Sequence, residues 1–318
     1  MDFETEKNKN QKAFLDSRKG LHRWVWLALF GLMVGYGCKN KHASVSKTMA
    51  ETAYTYTAEI LSFGPREPAS EGSKKVAQWL GKKVEESGLV LRKHPFEAST
   101  PLGNIKMTNL SVEVKGQTSQ ERVLFVAHYD TKTFKTISFV GANDAASSVA
   151  LLLALLPVFD QRKYAFDVEV VWVDGEEAYH HFGPHDGIYG SKVYAKQAQF
   201  GKPIKAVIGV DMISDEDLTL IKASGIDAGL LKRLEKVLAD MNQSSLLDSK
   251  WMGVTDDFTP FVDQGFPTLH LMDFSFGGPT PGKLWHTEND TLEHVSKKSL
   301  SIVSEVILRL LDDLDGSK

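Results

Sequence analysis

The sequence predicts an α/β fold with three layers, in which a mostly parallel sheet is covered by helices on both faces. Four apolar runs rich in β-branched residues have the length of buried strands, and helical patterns follow most of them. In addition, 42% of the 318 residues are apolar, which is enough for a sizeable core. We therefore expect one domain, covering residues 48–318.

The four predicted strands cover residues 123–127, 168–173, 206–210 and 268–272. Each run is almost continuously apolar and is followed by polar or acidic residues. Strands of this kind are buried on both faces, as in parallel sheets. Ligand sites of such sheets lie beyond the carboxyl ends of the strands, so the residues that follow each run are candidates for function.

A first helix is predicted over residues 73–87, because Val76, Trp79, Leu80 and Val84 recur at helical spacing and Gly88 follows as a C-cap. Upstream, residues 64–66 (Gly-Pro-Arg) mark a turn. Further helices are predicted over residues 146–156, 228–241 and 300–314. Their alternation with the strands supports the layered α/β architecture.

The N-terminal segment differs from the rest of the chain. A Lys-rich run to Arg23 precedes an apolar segment at residues 24–36, which is shorter than the roughly 20 residues of a spanning helix. This pattern is typical of a secretory signal. Cys38, the only cysteine, directly follows Gly37, which resembles the lipid-attachment site of a bacterial lipoprotein. A retained signal anchor and a buried N-terminal helix stay open as alternatives.

These features predict three regions: a signal or membrane anchor at residues 1–38, a polar linker at 39–47, and the folded domain at 48–318. We accordingly expect the protein outside the cytoplasm and attached to a membrane, in the periplasm or at the cell surface. Lys and Arg sum to 37 against 41 Asp and Glu, a net charge of −4, and the folded region has no basic block. This balance argues against a nucleic-acid partner.

Metal-ligand residue types follow several predicted strands. His128 follows the first run, Glu177 the second and Asp211 the third, while Asp144 and His286 lie in other segments. Taken singly, such an Asp is often a helix cap and such a His a core residue. Together they suit zinc, which is bound by imidazole and carboxylate, and a catalytic site commonly uses three protein ligands, here Asp144, Glu177 and His286.

The pair Glu176-Glu177 is the most informative local feature. Consecutive side chains of an extended backbone point to opposite sides. One glutamate can therefore bind metal while the other faces substrate. A charged loop is the simpler alternative.

Three strings resemble those of the zinc-dependent metallopeptidases that include bacterial aminopeptidases: residues 128–132 (His-Tyr-Asp-Thr-Lys), 139–144 (Phe-Val-Gly-Ala-Asn-Asp) and 285–287 (Trp-His-Thr). Within that group the chain resembles animal-type glutaminyl cyclases, because residues 174–192 carry an insertion that aminopeptidases lack. The resemblance implies a zinc exopeptidase-like fold with a central mixed sheet, one catalytic Zn²⁺ per chain, and cyclisation of N-terminal glutamine to pyroglutamate with release of ammonia.

The resemblance also implies roles for individual residues. Asp144, Glu177 and His286 match the zinc ligands and Glu176 matches the proton-transfer acid. Asp211 and Asp256 resemble its acidic, hydrogen-bonding partners in catalysis. The substrate-binding positions correspond to Trp285, Phe182 and His270. Phe182 stands where animal cyclases have tryptophan, and Phe258 where they have histidine, which affects the expected pocket shape.

Two other classes of protein stay open at this point. A two-zinc aminopeptidase would use the same residue types as its full ligand set, namely His128, Asp144, Glu177, Asp211 and His286. In this chain His128 would either bind a second metal or contact the ligands of the first. A non-catalytic binding domain of the same fold would be expected to lack ligands or the acid, and none is missing. We expect peptide or protein substrates with an N-terminal glutamine, and a monomer.

Overall fold

The structure, a computed structural model, describes residues 41–316. The predicted signal or anchor segment and Cys38 lie outside the described residues. The helices are α1 (Lys41–Leu61), α2 (Glu71–Glu86), α3 (Ser148–Arg162), α4 (Tyr189–Ala198), α5 (Ala228–Asp240), α6 (Thr259–Asp263) and α7 (Lys297–Asp315). The strands are β1 (Leu91–Thr100), β2 (Gly103–Val114), β3 (Arg122–His128), β4 (Asp167–Val173), β5 (Ile204–Asp211), β6 (Leu220–Ala223), β7 (Leu247–Met252) and β8 (Thr268–Met272).

The main sheet has six strands in the order β1-β2-β4-β3-β5-β8. Strands β4, β3, β5 and β8 run parallel to one another, whereas β1 pairs antiparallel with β2, and β2 with β4. The four predicted strands are the four parallel ones. The predicted fold class, with a mostly parallel mixed sheet, is therefore confirmed. A separate two-stranded sheet pairs β6 with β7.

Alternate residues of the central strands face two different apolar clusters. In β3, Phe125 and Ala127 belong to the larger cluster, which also holds residues of α1, α2, α3, α5 and α7. Leu124 and Val126 belong to a smaller cluster with α4 and α6. Because successive side chains of a strand point to opposite faces, this division places helices on both sides of the sheet.

Side-chain caps fix the start of three helices. Ser70 accepts a hydrogen bond from the Ser73 amide at the start of α2, and Asp227 and Ser296 do the same for α5 and α7. Such caps satisfy amides that lack a partner within the helix and contribute about 1 kcal/mol each. Helices α2, α5 and α7 begin within three residues of the predicted positions.

Helix α1 begins before the predicted start of the domain. It covers residues 41–47, which we expected to be a linker, and the compact unit that contains the sheet begins at Ala43. Val45, Met49 and Ala53 are buried at a spacing of four residues. This narrow apolar stripe lies among polar side chains, so the segment looks like a tether by composition although it packs as a helix.

Among residues 41–316, one helical stretch, Ala142–Arg162, is long and apolar enough to cross a membrane by length and composition. It is 94% buried within the protein. A core helix passes the same criterion, so this stretch is weak evidence for a membrane span.

Candidate active site

The sheet brings the predicted site residues to one edge. His128 is the last residue of β3 and Asp211 the last of β5, while Glu176 and Glu177 follow the end of β4. The carboxyl ends of these parallel strands are adjacent, because β4, β3 and β5 are neighbours in the sheet. The ligand site is therefore where the strand rule predicts it.

Asp144, Glu177 and His286 form one cluster of donor atoms. His286 Nε2 lies 3.0 Å from Glu177 Oε1 and 3.3 Å from Asp144 Oδ2. Glu177 Oε2 is buried and accepts no hydrogen bond among the described residues, although Lys132 Nζ lies 3.8 Å away. Carboxylates crowded without water repel each other and favour a cation between them. With one imidazole and two carboxylates whose donor atoms lie within 4.8 Å of one another, this cluster fits a zinc ion.

A second cluster shares Asp144. His128 Nε2 lies 3.2 Å from Asp144 Oδ1 and 3.4 Å from Asp211 Oδ1. Both ring nitrogens of His128 are buried without a hydrogen bond in the part of the chain that the structure describes. The structure thus brings together all five residues of the aminopeptidase ligand set. The identity of the donor residues alone is therefore compatible with a one-zinc cyclase and with a two-zinc aminopeptidase.

The loop that carries Asp144 is held from two sides. The Asp290 carboxylate accepts hydrogen bonds from the backbone amides of Asn143 (2.7 Å) and Asp144 (3.1 Å). On the other side, the fully buried Arg66 donates to the carbonyl of Gly141 at 3.1 Å. Gly141 has φ +51°, and a Cβ there would lie 1.9 Å from the Asp144 carbonyl oxygen. Only glycine therefore permits this loop conformation.

Asp130 holds the paired glutamates in the same way. Its carboxylate accepts hydrogen bonds from the amides of Glu176 (3.1 Å) and Glu177 (3.2 Å) and lies 3.6 Å from His128 Nδ1. Gly175, which precedes the pair, has φ +72°. The two glutamates therefore follow a bend after β4, and hydrogen bonds to Asp130 fix the backbone amides of both.

A cavity of about 240 Å³ opens beside these donors. It is lined by five carboxylates, namely Asp144, Glu176, Glu177, Asp211 and Asp256, together with His286 and the rings of Phe182, Phe274 and Trp285. Within the described ranges, no lysine or arginine lines it. The cavity therefore favours a ligand with a cationic group.

The acidic side chains differ in their protonation. Burial, opposed by His128 and assisted by Glu177 and Asp256, raises the pKa of Glu176 well above its ordinary value. Burial also raises the pKa of Asp211 to about 7, against the opposing effect of His128. At Asp256, burial is the largest influence and acts upward, yet the nearby His270 and His128 hold its pKa below the usual value. Carboxyls of different acidity thus face one cavity, a pattern common in proton-transfer sites.

Aromatic rings shape one wall and the mouth of the cavity. Trp285 stacks on His286 with ring centroids 3.9 Å apart, and Phe274 meets Trp285 edge-on at 4.9 Å. Phe182 is 36% exposed and lies at the mouth. His286 has φ +55°, which is uncommon for a non-glycine residue and recurs at functional sites.

His270 is the one predicted substrate-binding residue that does not line the cavity. It is buried on β8, and its Nε2 lies 3.2 Å from Asp256 Oδ2. Its influence on a ligand is therefore indirect. The residues that the sequence did not assign to the site are Asp130, Asp290 and Arg66. Arg66 lies in the Gly-Pro-Arg turn at residues 64–66 and Asp130 in the string at residues 128–132, whereas Asp290 had no sequence signal.

The fold and the site define an α/β protein of the zinc exopeptidase type. The family model described as Peptidase family M28 matches residues 109–311, close to two thirds of the chain, and the chain belongs to this family.

Known proteins give a narrower likeness. The chain is 26% identical over 283 residues to the glutaminyl-peptide cyclotransferase-like protein of Bos taurus, covering 79% of this chain and 72% of the relative. Its structure resembles the glutaminyl cyclase of an Acidobacteriales bacterium (TM-score 0.79, 29% identity, 85% of this chain and 95% of the other). It also resembles that of Porphyromonas gingivalis (TM-score 0.76, 25% identity, 83% and 98%). The resemblance to glutaminyl cyclases found in the sequence is thereby confirmed.

Proposed function

We propose that this protein is a zinc-dependent enzyme that cyclises the N-terminal glutamine of peptides and proteins to pyroglutamate, with release of ammonia. The observation that carries the proposal is the cluster of Asp144, Glu177 and His286 beside the buried Glu176, in one cavity. The likeness to proteins named as glutaminyl cyclases supports the choice of reaction.

Asp144, Glu177 and His286 would hold the metal ion. When bound there, zinc supplies Lewis-acid polarisation of the glutamine's side-chain amide oxygen. Asp130 and Asp290 keep two of the three ligands, Glu177 and Asp144, in place, because each accepts two backbone hydrogen bonds from the segment that carries one of them. Such outer supports fix ligand orientation and are important for metal affinity.

Glu176 would carry the proton. A C–N bond forms between the substrate's α-amine and its own side-chain carbonyl carbon, and the C–N bond to the amide nitrogen breaks. Glu176 accepts the proton that the amine loses and donates it to the leaving nitrogen, which departs as ammonia. Burial raises the pKa of Glu176 above its ordinary value, which favours the protonated form that donates to the leaving nitrogen.

The other lining residues would bind and orient the substrate. The five carboxylates attract an α-amine, which is partly protonated near neutral pH. Trp285, fixed between His286 and Phe274, offers a flat face to the glutamine side chain and excludes water. Both reacting groups belong to one molecule, so the site has to fix only its conformation.

The test compares two peptides that differ only in their first residue. The purified protein is incubated with a glutamine-initiated peptide and with its leucine-initiated counterpart, and both are followed by mass spectrometry. We expect the first to lose the mass of one ammonia and the second to stay intact. A shortened leucine peptide with an unchanged glutamine peptide would contradict the proposal.

An aminopeptidase is the second candidate, and the donor cluster of His128, Asp144 and Asp211 favours it. The metal content of the purified protein separates the two candidates. One tightly bound zinc ion per chain is expected for the cyclase. Two ions, together with release of N-terminal residues, would support the peptidase.

We also propose that Cys38 is lipid-modified and attaches the protein to a membrane outside the cytoplasm. The support is the sequence pattern of residues 24–38. The chain and its C38S variant are expressed in bacteria with a labelled fatty acid. Label is expected on the parent chain alone, and equal labelling of both would contradict the assignment.

A further inference from the structure

His270 lies in a narrow slot next to the cavity. The ring of Phe258 stacks on its imidazole with centroids 4.4 Å apart and an interplanar angle of 22°. Both side chains are 1% exposed. Phe258 precedes α6 and His270 lies in the middle of β8, so the contact joins two separate elements.

Gly209 forms the other boundary of the slot. It pairs with His270 across the β5–β8 ladder. A Cβ at Gly209 would lie 2.8 Å from His270 Cδ2 and 3.1 Å from Phe258 Cβ. The missing side chain therefore leaves just enough room for the imidazole and the phenyl ring, and the imidazole has little freedom to rotate.

This confined imidazole faces Asp256. His270 Nε2 lies 3.2 Å from Asp256 Oδ2, and Asp256 is the lining carboxylate on the segment before α6. Thr259 Oγ1 accepts a hydrogen bond from the Asp256 amide at 3.1 Å, so the backbone of this residue is also fixed. The Asp257 amide donates to Asp256 Oδ1, and His270 lies at Oδ2, so the position of the Asp256 carboxylate depends in part on where His270 points.

We infer that Phe258 is a positioning residue of the active site, which holds the His270 imidazole against Asp256 and thereby places that carboxylate for the reaction. Phe258 does not line the cavity and belongs to neither donor cluster. Its effect is exerted through the stacked ring of His270. The inference rests on the proposed function, because Asp256 is a partner of the proton-transfer acid only if that function holds.

The test uses two replacements of Phe258 that differ in ring character. F258L keeps an apolar side chain but removes the ring, whereas F258H keeps a ring that can stack. For the cyclisation of a glutamine-initiated peptide, we expect F258L to lower kcat between about tenfold and a hundredfold, because small misplacements of reacting groups have effects of this size. KM and zinc content should stay near those of the parent protein. F258H should retain most of the kcat of the parent protein.

F261L is the matched control. Phe261 is equally buried and lies three residues further along the chain. It belongs, however, to the smaller apolar cluster that includes residues of α4. F261L should lose stability like F258L while its folded fraction keeps the parental kcat. Equal losses of kcat in F258L and F261L, or an unchanged kcat in F258L, would overturn the inference.

A second measurement does not depend on activity. Spectra of protein labelled with ¹⁵N-histidine report the imidazole nitrogens, and the H270N variant identifies those of His270 by their absence. F258L should shift the His270 resonances, and F261L should leave them in place. If the parent protein failed to cyclise glutamine but these shifts were observed, the proposed function would fail while the stacking role survived. Unshifted His270 resonances in F258L would reject the role itself.

Discussion

At the residue scale, the site depends on adjacent glutamates with different partners. Glu177 bonds to His286 at 3.0 Å, whereas Glu176 lines the cavity without belonging to either donor cluster. Both are buried, and both amides are fixed by Asp130. The two glutamates thus share one backbone support, Asp130, but their side chains have different surroundings. This arrangement allows one glutamate to bind metal and the other to transfer a proton.

E176Q and E177Q should therefore fail in different ways. E176Q is expected to lower kcat for glutamine cyclisation by roughly a hundredfold or more, because an amide of similar shape cannot transfer the proton. Its zinc content, measured by plasma emission spectroscopy, should stay at that of the parent protein. E177Q should lose zinc when it is dialysed under conditions in which the parent protein keeps its zinc. Loss of zinc from E176Q would show that the division of roles is wrong.

At the element scale, the sequence predicted the four parallel strands and the residues at their ends. This succeeded because strands buried on both faces are continuous apolar runs, and because the carboxyl ends of parallel strands share one edge. The β1–β2 hairpin was missed. Most of β1 is exposed or half-buried, so its sequence lacks the apolar signal of a central strand.

The supports of the site were not predictable for a different reason. Asp290 bonds to the Asn143 amide across 147 positions of sequence, and Arg66 reaches the Gly141 carbonyl across 75. A side chain that bonds to a distant backbone leaves no periodicity in the sequence. From the sequence alone, a buried Arg or Asp with such a role cannot be distinguished from an ordinary surface charge.

The loop between β3 and α3 allows a sharp test at this scale. G141A should destabilise the protein by more than the roughly 1–2 kcal/mol of left-handed backbone strain, because its Cβ would meet the Asp144 carbonyl at 1.9 Å. It should also weaken zinc binding, since the shifted residue, Asp144, is a proposed ligand. Denaturant unfolding and zinc titration measure the two effects.

G88A is the control for this test. Gly88 also has a positive φ, +81°, but a Cβ there would meet nothing within 4 Å. G88A should show the strain alone and bind zinc like the parent protein. Equal zinc affinity in G141A and G88A would contradict the role of the loop.

At the scale of the whole molecule, the site concentrates negative charge in the interior of a protein that carries a net charge of only −4. Asp144, Glu177 and Asp211 are all buried at the same edge of the sheet. Buried charges of one sign are costly unless a counter-charge compensates them. The fold therefore carries a local electrostatic cost that a bound cation would offset, and activity and stability should depend on the metal together.

Removal of the metal tests this link. Treatment with a strong chelator, followed by dialysis, should abolish glutamine cyclisation and lower Tm by several degrees, because a ligand present at about 1,000 times its Kd stabilises the folded state by about 4 kcal/mol. Added zinc should restore both, whereas magnesium, which prefers an all-oxygen octahedral shell, should restore neither. Calorimetry and the peptide assay, run on the same samples, measure the two recoveries. Full activity in chelated protein with undetectable zinc would contradict the proposed function. If the Tm of that protein were also unchanged, the electrostatic role assigned to the cluster would be contradicted as well.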